Sequence, residues 1–193
     1  MANEQRKQQI VEAALMLFSN RGYHGTGMED IAREIGMGTS SLYNHVRSKQ
    51  EVLAALVTES MQQLLDDHAQ AVARAEGPID KLKASMISHV KTHANYSRSV
   101  RVVNAEIHSL EEPTKSEVLQ MRRDYVVRWV KIVEEGRRQG LFTVDDAEIT
   151  CYALIDMGIG VSVWFSPEGK YSAEELGEIY ADYALATVSA RES

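Results

Sequence analysis

The side chains best equipped for chemistry stand close together near the start of the chain. Thr39, Ser40 and Ser41 place three hydroxyls in a row, Tyr43, Asn44 and His45 follow after Leu42, and Lys49 comes four residues later. Hydroxyls, amides and imidazoles can each donate and accept hydrogen bonds, which suits base edges, while a phenol and an ammonium suit phosphate oxygens. Taken singly, each could as readily be structural. A second group lies further on: His89 and His93 are one helical turn apart, with Glu106 and His108 beyond them. Those residue types can hold a metal, yet paired histidines at this spacing are also common on polar–apolar boundaries without one. No Gly-rich phosphate loop, Ser-His-Asp order or Cys-His pair occurs, so a binding protein without catalytic residues, cofactor or resident metal is expected rather than an enzyme.

The elements that must position these groups read as helices. Ile10, Ala13, Ala14, Leu17 and Phe18 form one stripe of a helix over about residues 4 to 20, closed by Gly22. A short helix over about 29 to 35 ends at Gly36, and a second over 39 to 45 turns Leu42 and Val46 inward. Ser48 with Glu51 reads as a capping box for a long helix carrying Val52, Leu56, Met61, Leu64, Leu65 and Val72, broken at Gly77 and Pro78. Leu82, Met86, His89, Val90 and His93 then share a face, and a shorter helix covers about 100 to 109. Pro113 suits the first turn of a helix running to about Gln139, with Gly140 just past it. Asp145 with Glu148, and Ser172 with Glu175, cap two final helices, 145 to 165 and 172 to 189. The expectation is an all-α protein of about nine helices.

Totals agree with that class. Of 193 residues, 44% are hydrophobic and 25% charged, as in ordinary globular proteins, and three prolines leave room for long helices. The single cysteine, Cys151, excludes an internal disulfide framework and a Cys-rich zinc site, and is expected simply to be packed. The N-terminal residues are polar and no signal peptide is read there, so a cytoplasmic protein is expected; the apolar stretch 149 to 165, with Asp156 at its centre, reads as a buried helix rather than a membrane span. The formal charge of −7 is unevenly spread: residues 1 to 50 carry six basic against five acidic residues, a net +1, and the remainder fifteen against twenty-three, a net −8. A nearly neutral head on an acidic body would meet phosphate through a few well-placed groups.

Phe18, Gly22-Tyr23, Asp30-Ile31-Ala32, Gly36, Leu42-Tyr43-Asn44-His45 and Ser48-Lys49 together resemble the head of the TetR family, over about 45 residues with matching spacing. The resemblance implies a three-helix helix-turn-helix head, residues 1–50, that binds double-stranded operator DNA as a homodimer, and a helical ligand-binding and dimerisation domain, residues 51–193. Two short helices joined by a glycine turn are the geometry that lays the second in the major groove. Thr39, Ser40 and Ser41 are then the expected base readers, Tyr43 and Lys49 the phosphate contacts, and Asn44 and His45 contacts nearer base edges or backbone, with Thr26 joining them from the preceding turn. Gly38, Gly27 and Val46 depart from the family's usual serine or threonine cap, second threonine and phenylalanine, which implies slightly looser helices.

In the remainder the resemblance is to the acyl-CoA-responsive subgroup of repressors of fatty-acid and sterol-ring catabolism, carried by residues 160 to 169 (Gly-Val-Ser-Val-Trp-Phe-Ser-Pro-Glu-Gly) and the helix after Ser172. It implies a small-molecule effector, an acyl-CoA thioester, with Arg122, Arg123 and Arg128 toward CoA phosphates and Met86, Trp129, Tyr152 and Trp164 toward the acyl end. His89, His93, Tyr125, Asp156 and Gly160 complete the expected ligand set. Three alternatives stay open: another hydrophobic effector, a metal at His89 and His93, or a helical protein-interaction bundle that binds no specific DNA. Gly158 and Gly160 inside one helix each cost about 1 kcal/mol against alanine, so something must approach closely there, a partner helix or a ligand.

Overall fold

The structure is a computed structural model that describes residues 2–188, and among these every regular element is helical. In chain order they are α1 (Ala2–Arg21), α2 (Met28–Glu34), α3 (Thr39–Leu42), α4 (Lys49–Val72), α5 (Gly77–Asn95), α6 (Ser97–Glu106) with a 3-10 turn Ile107–Ser109, α7 (Thr114–Arg138), α8 (Ala147–Ile159), α9 (Val161–Trp164) and α10 (Ala173–Val188). The all-α class is as expected. The long helix expected over 145 to 165 is divided at Gly160, although that residue keeps helical angles (φ −54°, ψ −30°) and its N–H still reaches the Asp156 carbonyl. α8 and α9 are therefore one slightly broken rod, and the described residues make nine helices in that sense. The expected end of the last helix, Ser189, lies outside the described residues.

Of the three expected capping boxes, only the one at Ser172 and Glu175 forms as expected. Ser48 Oγ accepts from the Glu51 N–H (3.1 Å), but the Glu51 carboxylate takes the N–H of Arg47 (2.6 Å), not that of Ser48, so the box is one residue out of register on its return arm. Ser172 and Glu175 close a reciprocal box. α8 is capped by Asp146, whose Oδ1 accepts from the Ile149 N–H at 3.0 Å, one residue later than the expected Asp145. Pro113 stands just before α7 rather than inside its first turn.

The chain forms two compact units. The first comprises residues up to Met61 and Arg98–Leu119, the second Gln62–Ser97 and residues from Gln120 onward, so α4 and α7 contribute residues to both. In the first unit Ile10, Ala14, Phe18, Ile31, Leu42, Val52 and Leu53 make the core, and Phe18 meets Tyr23 edge-on with ring centroids 5.3 Å apart. Residues after Arg98 belong to this unit through polar ties: the Glu106 carboxylate accepts from the Tyr23 N–H (3.1 Å) and from the Ser109 hydroxyl (2.9 Å), and Gln50 donates to the Ser109 carbonyl (2.6 Å). In the second unit Leu82, Met86, Val90, Trp129, Val133, Cys151, Leu154, Ala181 and Ala184 form one continuous core. Cys151 is packed as expected, and burial pushes its thiol up to about 12, leaving it unreactive.

Candidate nucleic-acid interface and effector-sensing core

The turn between α2 and α3 is built by Gly36. With φ at +64° it takes the left-handed conformation that a Cβ would penalise, and the N–H groups of Gly36 and Met37 close back on the carbonyls of Arg33 (3.1 Å) and Ala32 (2.8 Å). The Asp30 carboxylate accepts from the Gly27 N–H at 2.9 Å, which holds its pKa below the usual carboxylate value, while glycine leaves no side chain to cap the first turn of α2 in return. From Gly38 the chain enters α3, which is shorter than expected: the helix ends at Leu42, and turns carry the chain on to His45.

Leu42 and Val46 are buried, and this anchoring leaves Ser40, Ser41, Tyr43 and Asn44 exposed on the opposite side, with Thr39 half-buried at the N-terminal edge. His45 donates from Nδ1 to the Asn3 side-chain oxygen (2.7 Å), so only Nε2 is left to face outward. Two expected contacts are engaged inside the protein. The Lys49 ammonium donates to the carbonyls of Tyr23 and Thr26, both at 2.7 Å, and sits 4.2 Å from the centroid of the Tyr23 ring, which leaves it one donor for anything else. Thr26, expected among the DNA contacts, is instead buried, its hydroxyl donating to the Gly22 carbonyl at 3.0 Å and bracing the turn after α1.

The expected effector residues divide in two. Met86, His89 and His93 on α5 and Tyr125 and Trp129 on α7 are all buried and come together in the second unit. His89 Nε2 lies 3.0 Å from the Ile155 carbonyl, which can only accept, so Nε2 carries the proton and Nδ1 accepts from the Tyr125 hydroxyl at 2.9 Å. His93 Nδ1 donates to the His89 carbonyl at 2.7 Å. Burial drives both imidazoles toward neutrality, His93 down to about 4 and His89 well below its ordinary value, the charge of each further opposed by a neighbour, His93 for His89 and Arg122 for His93. With both nitrogens of His89 engaged, a metal site on the pair lacks its first ligand, and among the described residues no three His, Cys, Asp or Glu side chains converge on a point.

Sequence reasoning missed His68. It is buried beside Tyr125 and Trp129, with ring centroids 5.3 and 5.9 Å away, and bonds Ser85 Oγ through Nε2 (3.0 Å). The signal was present: His68 lies on the apolar stripe of α4 with Leu64, Leu65 and Val72, where a leucine would be ordinary. Arg128, half-buried, donates to the Leu65 carbonyl at 2.7 Å. Burial lowers the Arg122 pKa, only partly offset by the Asp156 carboxylate, and Arg123 bonds Gln120 on the exposed face of α7.

Tyr152, Asp156 and Trp164 do not join this core. They are exposed on α8 and α9, with half-buried Gly160 between them, so they cannot line an enclosed chamber in this unit. The stretch expected to be buried is thus two-faced: Cys151, Leu154, Ile155, Gly158 and Val161 point into the core, while Ile149 (65% exposed), Val163 (73%) and Trp164 (55%) do not. The close approach implied by the helix glycines is explained at one of them. A Cβ on Gly158 would stand 2.2 Å from Cδ2 of His89, so the bare backbone is what lets the imidazole reach the Ile155 carbonyl, whereas Gly160 meets only its own helix.

Comparison with known proteins agrees with this division. Residues 10–56 match the model of bacterial regulatory proteins of the tetR family, and residues 75–188, more than half of the chain, match the tetracyclin repressor-like C-terminal domain. The HTH-type transcriptional repressor KstR2 of Mycolicibacterium smegmatis is 26% identical over 186 residues, covering 95% of this chain and 91% of that protein. A tetR-family regulatory protein from Rhodococcus RHA1 superposes with a TM-score of 0.89 at 26% identity, covering 96% of this chain and 98% of the other. AibR, crystallised with isovaleryl coenzyme A and operator DNA, shares the fold with a TM-score of 0.82 at 24% identity, covering 95% and 98% of the two chains. An outward-facing helix-turn-helix and a separate helical body, each matched in its own stretch, make this chain a member of the TetR family of DNA-binding transcriptional regulators.

Proposed function

We propose that the chain is a homodimeric repressor that residues 1–50 fix to a palindromic operator and that a small-molecule effector, an acyl-CoA thioester, releases through residues 51–193. The observation that carries the DNA half is the exposure of Ser40, Ser41, Tyr43 and Asn44 over a buried Leu42 and Val46, a polar surface held rigidly from beneath. The acyl-CoA half is supported by the relatives: KstR2 is named a repressor, and AibR was crystallised with a coenzyme A thioester and operator DNA together. A repressor also fits α4, whose residues pass from the first unit into the second and supply a covalent route for a signal. A useful effector must prefer the DNA-incompetent state by several kcal/mol, because a compound that binds both states equally shifts nothing.

Dimerisation is supported by the apolar row Ile149, Tyr152, Val163 and Trp164 on α8–α9 and by Tyr183 on α10, all exposed in the single chain. By length and composition Ala147–Trp164 would also pass as a membrane span, but Asp156 stands on that exposed face and a symmetry mate can satisfy it as lipid cannot, so a cytoplasmic protein is the reading adopted.

The test is a gel shift on the DNA flanking the chain's own gene, followed by release with isovaleryl-CoA and longer acyl-CoA thioesters, the matching free acids, and divalent zinc. The expected result is a salt-sensitive, sequence-specific shift that a thioester reverses and its free acid does not. No shift at low salt, or release by zinc alone, overturns the reading.

A further inference from the structure

Phosphate contacts need cations, and half of the six basic residues in 1–50 are already committed inside the protein. Lys49 spends two of its three donors on the carbonyls of Tyr23 and Thr26, and Arg21 and Arg33 share the Asp30 carboxylate at 3.9 and 3.2 Å. The other three, Arg6, Lys7 and Arg47, stand within ion-pair distance of no acid among the described residues. Arg47 lies two residues past His45, on the helix-turn-helix itself. Arg6 and Lys7 lie outside that motif, on α1 ahead of residue 10, where the match to the family's head begins.

The start of α1 brings them to the same surface. Asn3 Oδ1 takes the His45 Nδ1–H at 2.7 Å, which pins the first turn of α1 beside the end of the segment 39–45. Arg6 and Lys7 follow Asn3 at i+3 and i+4, and the fully buried Ile10 at i+7, so the four share one face of the helix. One end of that face is packed in the core of the first unit, and the other meets His45. Side chains on a helix lean toward its N-terminus, so both cations lean from their own turn toward Asn3. Arg6 is exposed, and the neutral Gln9 side chain that accepts from it at 2.8 Å leaves its charge uncancelled. Glu4, the acid nearest them in sequence, stands near Glu59 of α4 instead: burial first, then the Glu4 charge, pushes the Glu59 carboxyl up.

We propose that Arg6 and Lys7 extend the DNA contact beyond the helix-turn-helix, binding phosphates of the duplex backbone on the side where Asn3 meets His45. Duplex phosphate is the partner the surroundings favour, because this patch is continuous with the exposed Tyr43 and Asn44 of a DNA-binding head. Contacts of this kind add affinity and salt dependence but no base preference. The proposal rests on the reading of residues 1–50 as the part that binds DNA and adds two residues to that contact.

The test is fluorescence anisotropy of the full-length protein on the DNA flanking its own gene and on a random-sequence duplex, each across a salt series. Each phosphate let go lowers the magnitude of the slope of log K against log salt by about 0.9, so Arg6→Gln with Lys7→Gln should lower it by about 1.8 for every head engaged, on both DNAs. Base preference should not change. Glutamine keeps helix propensity at both positions, and an unchanged circular dichroism spectrum checks the fold. Arg6→Lys with Lys7→Arg keeps both charges and should restore the parent slope. Ethylation interference then separates contact from long-range field: ethylating particular phosphates of the operator should block the parent, and at those positions alone the double variant should be indifferent. An unchanged slope, an interference pattern weakened evenly at all phosphates, or a slope that the charge-keeping pair fails to restore overturns the proposal. If the double glutamine variant does not fold, Arg6→Gln alone decides, with a fall of about 0.9 per head. A parent that binds the flanking DNA no better than random sequence would sink the operator reading, and the slopes on the random duplex would still decide this one.

Discussion

At the scale of single residues, the proposed DNA contact separates positioning from reading. Tyr43 reaches out from the end of α3 with a phenol suited to a phosphate oxygen, while Thr39, Ser40 and Ser41 offer hydroxyls at the N-terminal edge, where a helix entering the major groove meets base edges. Tyr43→Ala should therefore weaken binding to every operator variant alike, by roughly tenfold, as the loss of a hydrogen bond to a charged partner does. Ser40→Ala and Ser41→Ala should instead change which base is preferred at one or two positions. A library of operator variants measured against each protein would show it, and a uniform loss from the serine variants or a changed base preference in Tyr43→Ala would reverse these roles. Lys49 illustrates what residue type alone conceals. Its position beside Ser48 predicts a phosphate contact, but Tyr23 and Thr26 bring two carbonyls to it from a turn more than twenty residues away, and no local pattern announces that. Thr26 is turned inward by a local bond instead, its hydroxyl donating to the Gly22 carbonyl four residues back.

At the scale of elements, α5 and α8 are joined through a gap in a side chain rather than through one. Gly158→Ala should gain up to about 1 kcal/mol of helix propensity, but its methyl would overlap the His89 ring, costing about 1–3 kcal/mol in overpacking and about 1–3 kcal/mol more as the imidazole leaves the Ile155 carbonyl. The losses win, and the variant's urea midpoint should fall by an amount matching about 1–5 kcal/mol; an unchanged or raised midpoint would show that His89 has another place to go. Helix periods were readable because a stripe such as Ile10, Ala14, Leu17 needs only the chain's own spacing. The ends of α3 and α8 were not, since Asp145 and Asp146 are chemically equivalent caps and only the packing of Ala147 and Cys151 chooses between them. The buried cluster of the second unit was half legible on the same grounds: Met86, His89 and His93 sit on one helix face, but which distant helix supplies Tyr125, Trp129 and His68 is a tertiary fact. Residue type alone points Tyr152 and Trp164 toward an apolar chamber, but an aromatic side chain reads the same whether it faces a core or, as here, an open surface.

At the scale of the whole molecule, the exposed apolar side chains of α8, α9 and α10 decide how many chains act together. Val163 at 73% exposure and Tyr183 at 55% would be costly to leave in water, and in the proposed homodimer a two-fold mate offering the same row would cover them in a self-complementary four-helix contact. Two recognition segments related by that axis must enter successive major grooves, roughly 34–36 Å apart or a near multiple, which requires a palindromic or nearly palindromic operator. Replacing Val163 and Tyr183 together by Glu should put four carboxylates into the contact of each dimer and leave monomers at micromolar concentration, seen as a halved mass in sedimentation equilibrium with helicity retained. Because two linked heads gain from effective concentration, the monomer should bind the full operator at least a hundredfold more weakly than the parent. On DNA, inserting about five base pairs between half-sites rotates one site by half a helical turn and should abolish binding by the dimer, but leave the weak binding of the double variant almost unchanged. A parent protein that sediments as a monomer at micromolar concentration, or one that tolerates the half-turn insertion, would mean that this apolar face serves some other purpose than pairing the heads.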